Sequence, residues 1–326
     1  MAMFTLATLE QAQRTVYEVM PPTPQYAWPL LSRRLGAEIW VKHENHTPTG
    51  AFKVRGGIVY MNELVRSGRK IAGVVTATRG NHGQSIAFAA TRAGLRSVIF
   101  VPRGNSVEKN AAMRAFGAEL VETGDDFDAA RAAAAETAKR DGLFFLPSFD
   151  EALVRGVATY ALEFFRAAPK LDTVYVPIGL GSGICGVISA RDLLGLDTEV
   201  VGVVSENAAA YALSFEAGKV ISTPSARTFA DGMAVRVPDP AALDIVRAGA
   251  ARVVRVSDDQ VAEAIRAYFS DTHNVAEGAG AAPLAAALVE RDRNATRRIG
   301  VILCGGNIDT TLFRRILAGE TPSSGA

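Results

Sequence analysis

From Ile71 onward, short β-branched runs alternate with alanine-rich stretches at helical spacing, and this alternation constrains the fold more than any other feature. The order is "GVVTAT", "SIAFAATRAG", "SVIFVP", "VEKNAAMRAFG" and "AELVETG". Strand runs separated by helical stretches mean parallel strands joined by crossover helices. The alternation resumes with "LFFLPS", a helix expected over Glu151 to Ala167, "TVYVPIG", a helix from Ile184 and "EVVGVVS". Later, "ARVVRVS" precedes a helix starting near Asp258, and "RIGVILCGG" precedes a last helix over Asp309 to Leu317. Runs such as "VILC" and "VYVPI" are apolar throughout, which suits sheets buried on both faces. The expected architecture is α/β, with two open, mostly parallel twisted-sheet domains carrying helices on both faces.

Two domains also follow from length, since 326 residues exceed the ~100 to 200 of a usual single domain. A boundary near Pro147 is expected, where "LFFLPSFDEALVRG" reads as a crossing between them. The charges of "FDAARAAAAETAKR" fit an amphipathic helix, and the tail "GETPSSGA" is expected to fray. Lys and Arg total 35 against 34 Asp and Glu, a formal charge of +1, which leaves no basic field for nucleic acid or an anionic membrane. A small molecule is the expected partner. Cys185 and Cys304 lack the paired spacing of a disulfide framework or zinc knuckle. None of His43, His46, His82 and His273 forms a helical pair around a carboxylate, so no metal site is expected. No run approaches the ~20 apolar residues that span a bilayer, and the opening "MAMFTLATLEQAQRTVYEVM" lacks the basic end and apolar core of a signal peptide. A cytoplasmic location is the expectation.

In open α/β sheets ligands bind beyond the carboxyl ends of strands, so chemistry is sought in the strand-to-helix loops. In "TATRGNHGQS", Thr76 to Ser85, a strand ends, Gly80 permits a tight turn, and the next helix opens with free N–H groups suited to an anion. Thr78 adds a hydroxyl and Asn81 an amide donor; a plainly capped helix start is the alternative. In "PIGLGSGICGV", Gly179, Gly181, Gly183 and Gly186 let backbone N–H groups approach an anion, with the Ser182 hydroxyl as a further donor. Gly181, Gly183 and Gly186 also match G-x-G-x-x-G after a strand, and Glu206 follows about 20 residues on. An NAD-dependent oxidoreductase is therefore a second reading. In "VILCGGNIDTT", Cys304 stands at a strand end, aimed at a ligand or simply buried. Lys53, within "HENHTPTGAFKVRGG", is ambiguous on local context: a surface charge, or a residue held there to form a bond.

Taken together and in order, these segments resemble the pyridoxal phosphate enzymes of the threonine dehydratase and serine racemase family, the fold type II group. "HENHTPTGAFKVRGG" looks like the Schiff-base lysine segment, "TRGNHGQ" like the substrate and cofactor loop, "PIGLGSGICG" like the phosphate loop, and "CGGNID" like the pyridine-nitrogen loop. "SENAAAYALSFEAGK", "FADGM" and "HNVAEGAGAA" are similar to the connecting segments of the dehydratases. The resemblance implies that Lys53 carries pyridoxal 5'-phosphate and acts as the catalytic base, with Phe52 beside the ring and Asn81 donating to its phenolic oxygen. It implies the cofactor phosphate on Gly179, Leu180, Gly181, Ser182 and Gly183, and Cys304 facing the pyridine nitrogen. It further implies a substrate carboxylate on Thr78, Arg79, Gly80, Asn81 and His82. By the same resemblance, residues 1–65 and 147–326 form a larger domain with the lysine, phosphate loop and pyridine loop. Residues 66–146 form a smaller domain with the carboxylate loop. A homo-oligomer, dimer or tetramer, is implied as well. The remaining lysines, such as Lys42 and Lys109, are for the most part expected to be solvated.

The implied reaction is β-elimination from a β-hydroxy amino acid, L-threonine or L-serine first, giving a 2-oxo acid and ammonia. Alternatives are a dehydratase selective for 3-hydroxyaspartate or for a bulky 3-hydroxy amino acid such as phenylserine. Arg79 is the main departure: serine racemases of the family carry serine there, and simple dehydratases often carry alanine. Arginine stays charged and makes a poor acid or base, so little racemase activity is expected. Its side chain reaches a second substrate carboxylate, assists docking of the first one, or turns away to an acidic partner. Metal-activated relatives place carboxylates where "VVSENAAAY" offers Val204 and Ala210, and Glu206 alone is a weak ligand set, so no divalent ion is expected. The chain as given ends soon after "DTTLFRRIL", without the regulatory extension of the biosynthetic enzymes, so feedback inhibition is not expected.

Overall fold

The computed structural model describes residues 3–323, so the last part of the tail expected to fray lies outside the described residues. Among them the strands are β1 (Gln25–Ala27), β2 (Glu38–His43), β3 (Val74–Ala77), β4 (Ser97–Val101), β5 (Glu119–Glu122), β6 (Phe144–Phe145), β7 (Thr173–Pro177), β8 (Glu199–Ser205), β9 (Arg252–Val256) and β10 (Arg298–Leu303). They build a six-stranded sheet in the order β1-β2-β10-β7-β8-β9 and a four-stranded sheet in the order β5-β4-β3-β6. Every pairing between these strands is parallel except the short edge strand β1 against β2. The all-buried strands β3, β4 and β7 follow from this arrangement, because crossover helices cover both faces of a parallel sheet.

The boundaries of the helices follow local chemistry. Asp150 caps Glu151–Ala167 by accepting from the Ala152 amide, and Ser257 with Gln260 forms a capping box at Asp258–Thr272. The helix expected from Ile184 begins instead at Ser182, because Gly181, at φ +104°, turns the chain directly from loop into helix. Leu146 still pairs with Val75 of the small sheet, and Leu153, soon after, packs into the same cluster before the helix passes into the large core. No helix among the described residues is long and apolar enough to cross a membrane.

Between the sheets lies the helix Lys53–Arg66, packed against both Asn81–Arg92 and Glu151–Ala167. Its "VRGG" start now has a physical reason. Gly56 allows the close approach, since a Cβ there would stand 2.8 Å from the Leu153 carbonyl oxygen. Arg55 points inward and is fully buried: Nε donates to Glu44 Oε2 at 2.7 Å and Nη1 to Glu163 Oε1 at 2.6 Å. Lys42 is not solvated, contrary to expectation; it is buried and donates to Glu163 Oε2 at 2.6 Å. Burial works to raise the Glu163 carboxyl, but the charges and hydrogen bonds of Arg55 and Lys42 overcome it and hold the group below the usual carboxylate range. Two cations and two carboxylates thus balance beneath the helix start. Arg55→Met removes the counter-charge from two buried carboxylates and is expected to cost about 3–5 kcal/mol. The measurement is the urea midpoint, and an unshifted midpoint contradicts the assignment.

Candidate active site

The four loops singled out in the sequence all emerge at strand carboxyl ends: Thr78–Gly80 after β3, Ile178–Gly181 after β7, Cys304–Gly305 after β10, and the segment leading from β2 to Lys53. Backbone bonds tie two of them together. The Phe52 amide donates to the Cys304 carbonyl at 2.9 Å, and Ala51 bridges Gly305. From this pinned position Lys53 opens its helix, and its Nζ donates to Ser182 Oγ at 2.7 Å, 4.9 Å from the Phe52 ring centroid. Ser85, from the helix after β3, donates its hydroxyl to the Lys53 carbonyl at 2.6 Å. Lysine, glycine loop, cysteine turn and carboxylate loop therefore converge.

The glycine loop is shaped for close approach. Gly181 takes a left-handed conformation and has no room for a side chain, because a Cβ would lie 2.6 Å from that of Ala242. Tyr211 steadies the loop by donating to the Leu180 carbonyl at 2.9 Å, while Gly179 packs on the Gly232 backbone. Ser182 and Gly183 lie in the first turn of the helix Ser182–Leu193, whose N–H groups have no intrahelical acceptor and favour an anion. Gly186 has another role: a Cβ there would stand 3.1 Å from the Ala158 backbone, so the glycine allows two helices to pack. The third glycine of the G-x-G-x-x-G pattern is thus accounted for by packing.

In the carboxylate loop the hydroxyl of Thr78 is already engaged, accepting from the amides of Gly80 and Gly83 at 3.0 and 3.2 Å. It braces the loop, and only its hydroxyl hydrogen remains to donate. Asn81 donates from Nδ2 to Glu277 Oε1 at 2.6 Å and accepts at Oδ1 from Asn307 Nδ2 at 2.9 Å, keeping one amide hydrogen free. Arg79 is exposed and makes no hydrogen bond or ion pair within the described residues. His82 faces inward, 3.3 Å from Thr76 Oγ1. Glu277, Asn307, Tyr160 and Lys109 were missed as site residues in the sequence. Glu277 lies in "HNVAEGAGAA", whose glutamate at a helix start was the available signal; nothing local marked Lys109, which is buried rather than solvated.

Burial governs the charges here. It pushes the Lys53 amine down to about 8, against the opposing pull of Cys304. Burial and the Lys53 charge push His82 down to about 3, so its imidazole is neutral near neutral pH. Burial and the Glu277 charge hold the Cys304 thiol well above its usual value, so it keeps its proton. Among the described residues, no cluster of three or more His, Cys, Asp or Glu could hold a metal ion.

Two open parallel sheets with a half-buried, weakly basic lysine beside a glycine-rich helix N-terminus define a carbonyl-binding enzyme with a phosphate subsite. The family model described as "Pyridoxal-phosphate dependent enzyme" matches residues 16–305, and the chain belongs to that family. It is 38% identical to an L-threonine ammonia-lyase of Geobacter sulfurreducens over 279 residues, 85% of this chain and 69% of that protein. With an L-threonine ammonia-lyase of Thermotoga maritima the identity is 34% over 324 residues, covering 99% and 80% of the two chains. The processed form of threonine deaminase isoform 2 from Solanum lycopersicum superposes with a TM-score of 0.88 at 30% identity, over 97% and 95% of the chains.

The cofactor is pyridoxal phosphate, and the donor set fits it: a primary amine for its aldehyde, free amides for its phosphate, a neutral thiol and an amide hydrogen for its ring. Because only the neutral amine attacks a carbonyl, the rate at which cofactor-free protein captures pyridoxal phosphate is expected to rise with pH and level off above about 8. Stopped-flow absorbance reads this directly; a rate still climbing to the ordinary lysine value of 10.5 contradicts the shift.

Proposed function

We propose that the protein is an ammonia-lyase for β-hydroxy amino acids, with L-threonine as the leading substrate, and that Lys53 is both anchor and base. The observation that carries the reading is the Lys53 Nζ to Ser182 Oγ hydrogen bond at 2.7 Å, which sets the amine against the phosphate-shaped loop. The names of the Geobacter and Thermotoga relatives support the substrate. When bound, pyridoxal phosphate supplies an electron sink for the electrons of the substrate α-carbon.

This chain's residues supply the rest. Gly179, Leu180, Gly181, Ser182 and Gly183 hold the phosphate through backbone amides and the serine hydroxyl. Phe52 borders the ring, wedged in place by an edge contact to Tyr160 at 6.1 Å. Cys304, a thiol, leaves the ring nitrogen without an acidic partner, which favours prompt loss of the β-substituent. The amides of Arg79, Asn81 and His82 hold the substrate carboxylate at the N-terminus of Asn81–Arg92, while the Gly80 amide stays on Thr78. Lys53, once free, takes the α-proton as general base, and that proton balances the departing β-hydroxyl as water. Cleavage of the C–H and C–O bonds releases water, and hydrolysis of the resulting enamine gives ammonia and a 2-oxo acid, 2-oxobutanoate from threonine.

Arg79 supports a narrower second reading. It is a charged side chain in the carboxylate loop without a protein partner among the described residues, and so is free to engage the second carboxylate of 3-hydroxyaspartate. Reduction with borohydride is expected to fix the cofactor on the peptide carrying Lys53, and Lys53→Ala to lower ammonia release by ~10²–10⁴-fold. Label on another lysine overturns the assignment. For Arg79→Ala, the rate ratio of 3-hydroxyaspartate to threonine is expected to fall about tenfold, the worth of one charge-assisted hydrogen bond; an unchanged ratio removes the second reading.

A further inference from the structure

Glu277 is a buried carboxyl on which both halves of the site converge. Its residue is 2% exposed and opens the helix Gly278–Val289. On the large-sheet side, its backbone amide donates to the Gly305 carbonyl at 3.1 Å, next to Cys304. From the small-sheet side, Asn81 Nδ2 donates to Oε1 at 2.6 Å, and the Lys109 ammonium stands 3.5 Å from Oε2. Oε2 is buried and meets no hydrogen-bond donor in good geometry among the described residues, so the Lys109 ammonium is the group that answers its charge.

Lys109 comes from the helix Val107–Ala115, which follows β4, and reaches across the cleft. Its Nζ also pairs with Asp231 Oδ2 at 2.6 Å. Its stem runs over Gly80, where a Cβ would lie 2.5 Å from Lys109 Cδ, so the lysine also backs the carboxylate loop. The start of the same helix is docked twice more on the large-sheet side. Ser106 Oγ donates to Asp309 Oδ1 at 2.5 Å, and the Thr310 amide donates to Glu108 Oε1 at 2.8 Å. The position of this helix therefore determines whether the Lys109 charge is present beside Glu277.

We infer that Glu277 is a positioning residue of the reaction: it holds Asn81 toward the cofactor oxygen, and Lys109 keeps it charged only while the two halves of the site are together. The inference rests on the ammonia-lyase reading for the role of Asn81. An ionised carboxylate draws one Asn81 hydrogen strongly and leaves the other directed into the site, whereas a protonated one grips the amide weakly. The groups facing Glu277 are Lys109, Asp231 and the Cys304 thiol, with Asp309 acting on Lys109. Burial raises the Glu277 carboxyl to about 7, and Lys109 opposes that rise. Proton loss from Glu277 and approach of Lys109 thus favour each other, so the aligned site strengthens as pH rises through that range.

The test uses the holoenzymes of Glu277→Gln, Lys109→Met and the double variant. Three quantities are read: the pH titration of the visible cofactor band, kcat and KM for L-threonine, and hydrogen exchange of amides 107–115. All three variants are expected to retain borohydride-fixed cofactor on Lys53. A limb near pH 7 in the band titration is expected to move upward in Lys109→Met and to vanish in Glu277→Gln. In both single variants kcat is expected to fall more than KM changes, and the double variant to be no worse than the poorer single, a coupling of ~5-fold or more. Glu277→Asp, which keeps the charge, is expected to restore part of kcat and so separates positioning from a folding defect. Losses that multiply, or an unmoved band titration with faster exchange only, overturn the inference. If the wild-type protein releases no ammonia, the reaction reading fails by itself, while band and exchange still decide the coupling.

Discussion

Everything in the site hangs on how the helix carrying Lys53 begins, and that is decided by Arg55. Its guanidinium is buried between Glu44, just beyond the end of β2, and Glu163, in the helix that crosses beneath. A buried cation requires partners at fixed geometry, so the three elements cannot slide past one another without stranding a charge. With Arg55 locked two residues onward, the Phe52 amide meets the Cys304 carbonyl and the Lys53 amine meets Ser182. The Lys53 amine is aimed by an ion-pair network that lies beneath its helix.

The same burial sets the protonation of the site. Taken from water, Lys53 gives up its proton more readily, His82 stays neutral and Cys304 stays a thiol. One desolvated pocket therefore holds a weakly basic amine beside a neutral imidazole and a neutral thiol. Charge is retained where opposite groups are brought together, as with Lys109 between Asp231 and Glu277. The parallel sheets make this possible by collecting loops distant in sequence at their carboxyl ends.

Much of this was legible in advance. The strand and helix alternation, the helix Glu151–Ala167 and the four loops follow from periodicity and from glycine and proline placement, all local properties. Lys53 could not be told from a surface lysine by its neighbours; the other three loops marked it. Glu277 and Lys109 escaped because their significance is relational. They are 168 residues apart by number, and only the packing of Val107–Ala115 over Gly80 brings the ammonium to the carboxyl. Thr78 was read only for its hydroxyl as a donor, since sequence does not reveal that two backbone amides also occupy its oxygen and brace the loop.

The sequence by itself determined the α/β architecture, the chemical class of each loop and the family, because periodicity, turn residues and ordered motifs are written along the chain. Tertiary structure alone decided which charges are buried, which are paired and which, like Arg79, have no partner among the described residues. The physical reason is that solvation and Coulomb interaction depend on distance and exposure, and neither is a property of a residue's place in the chain.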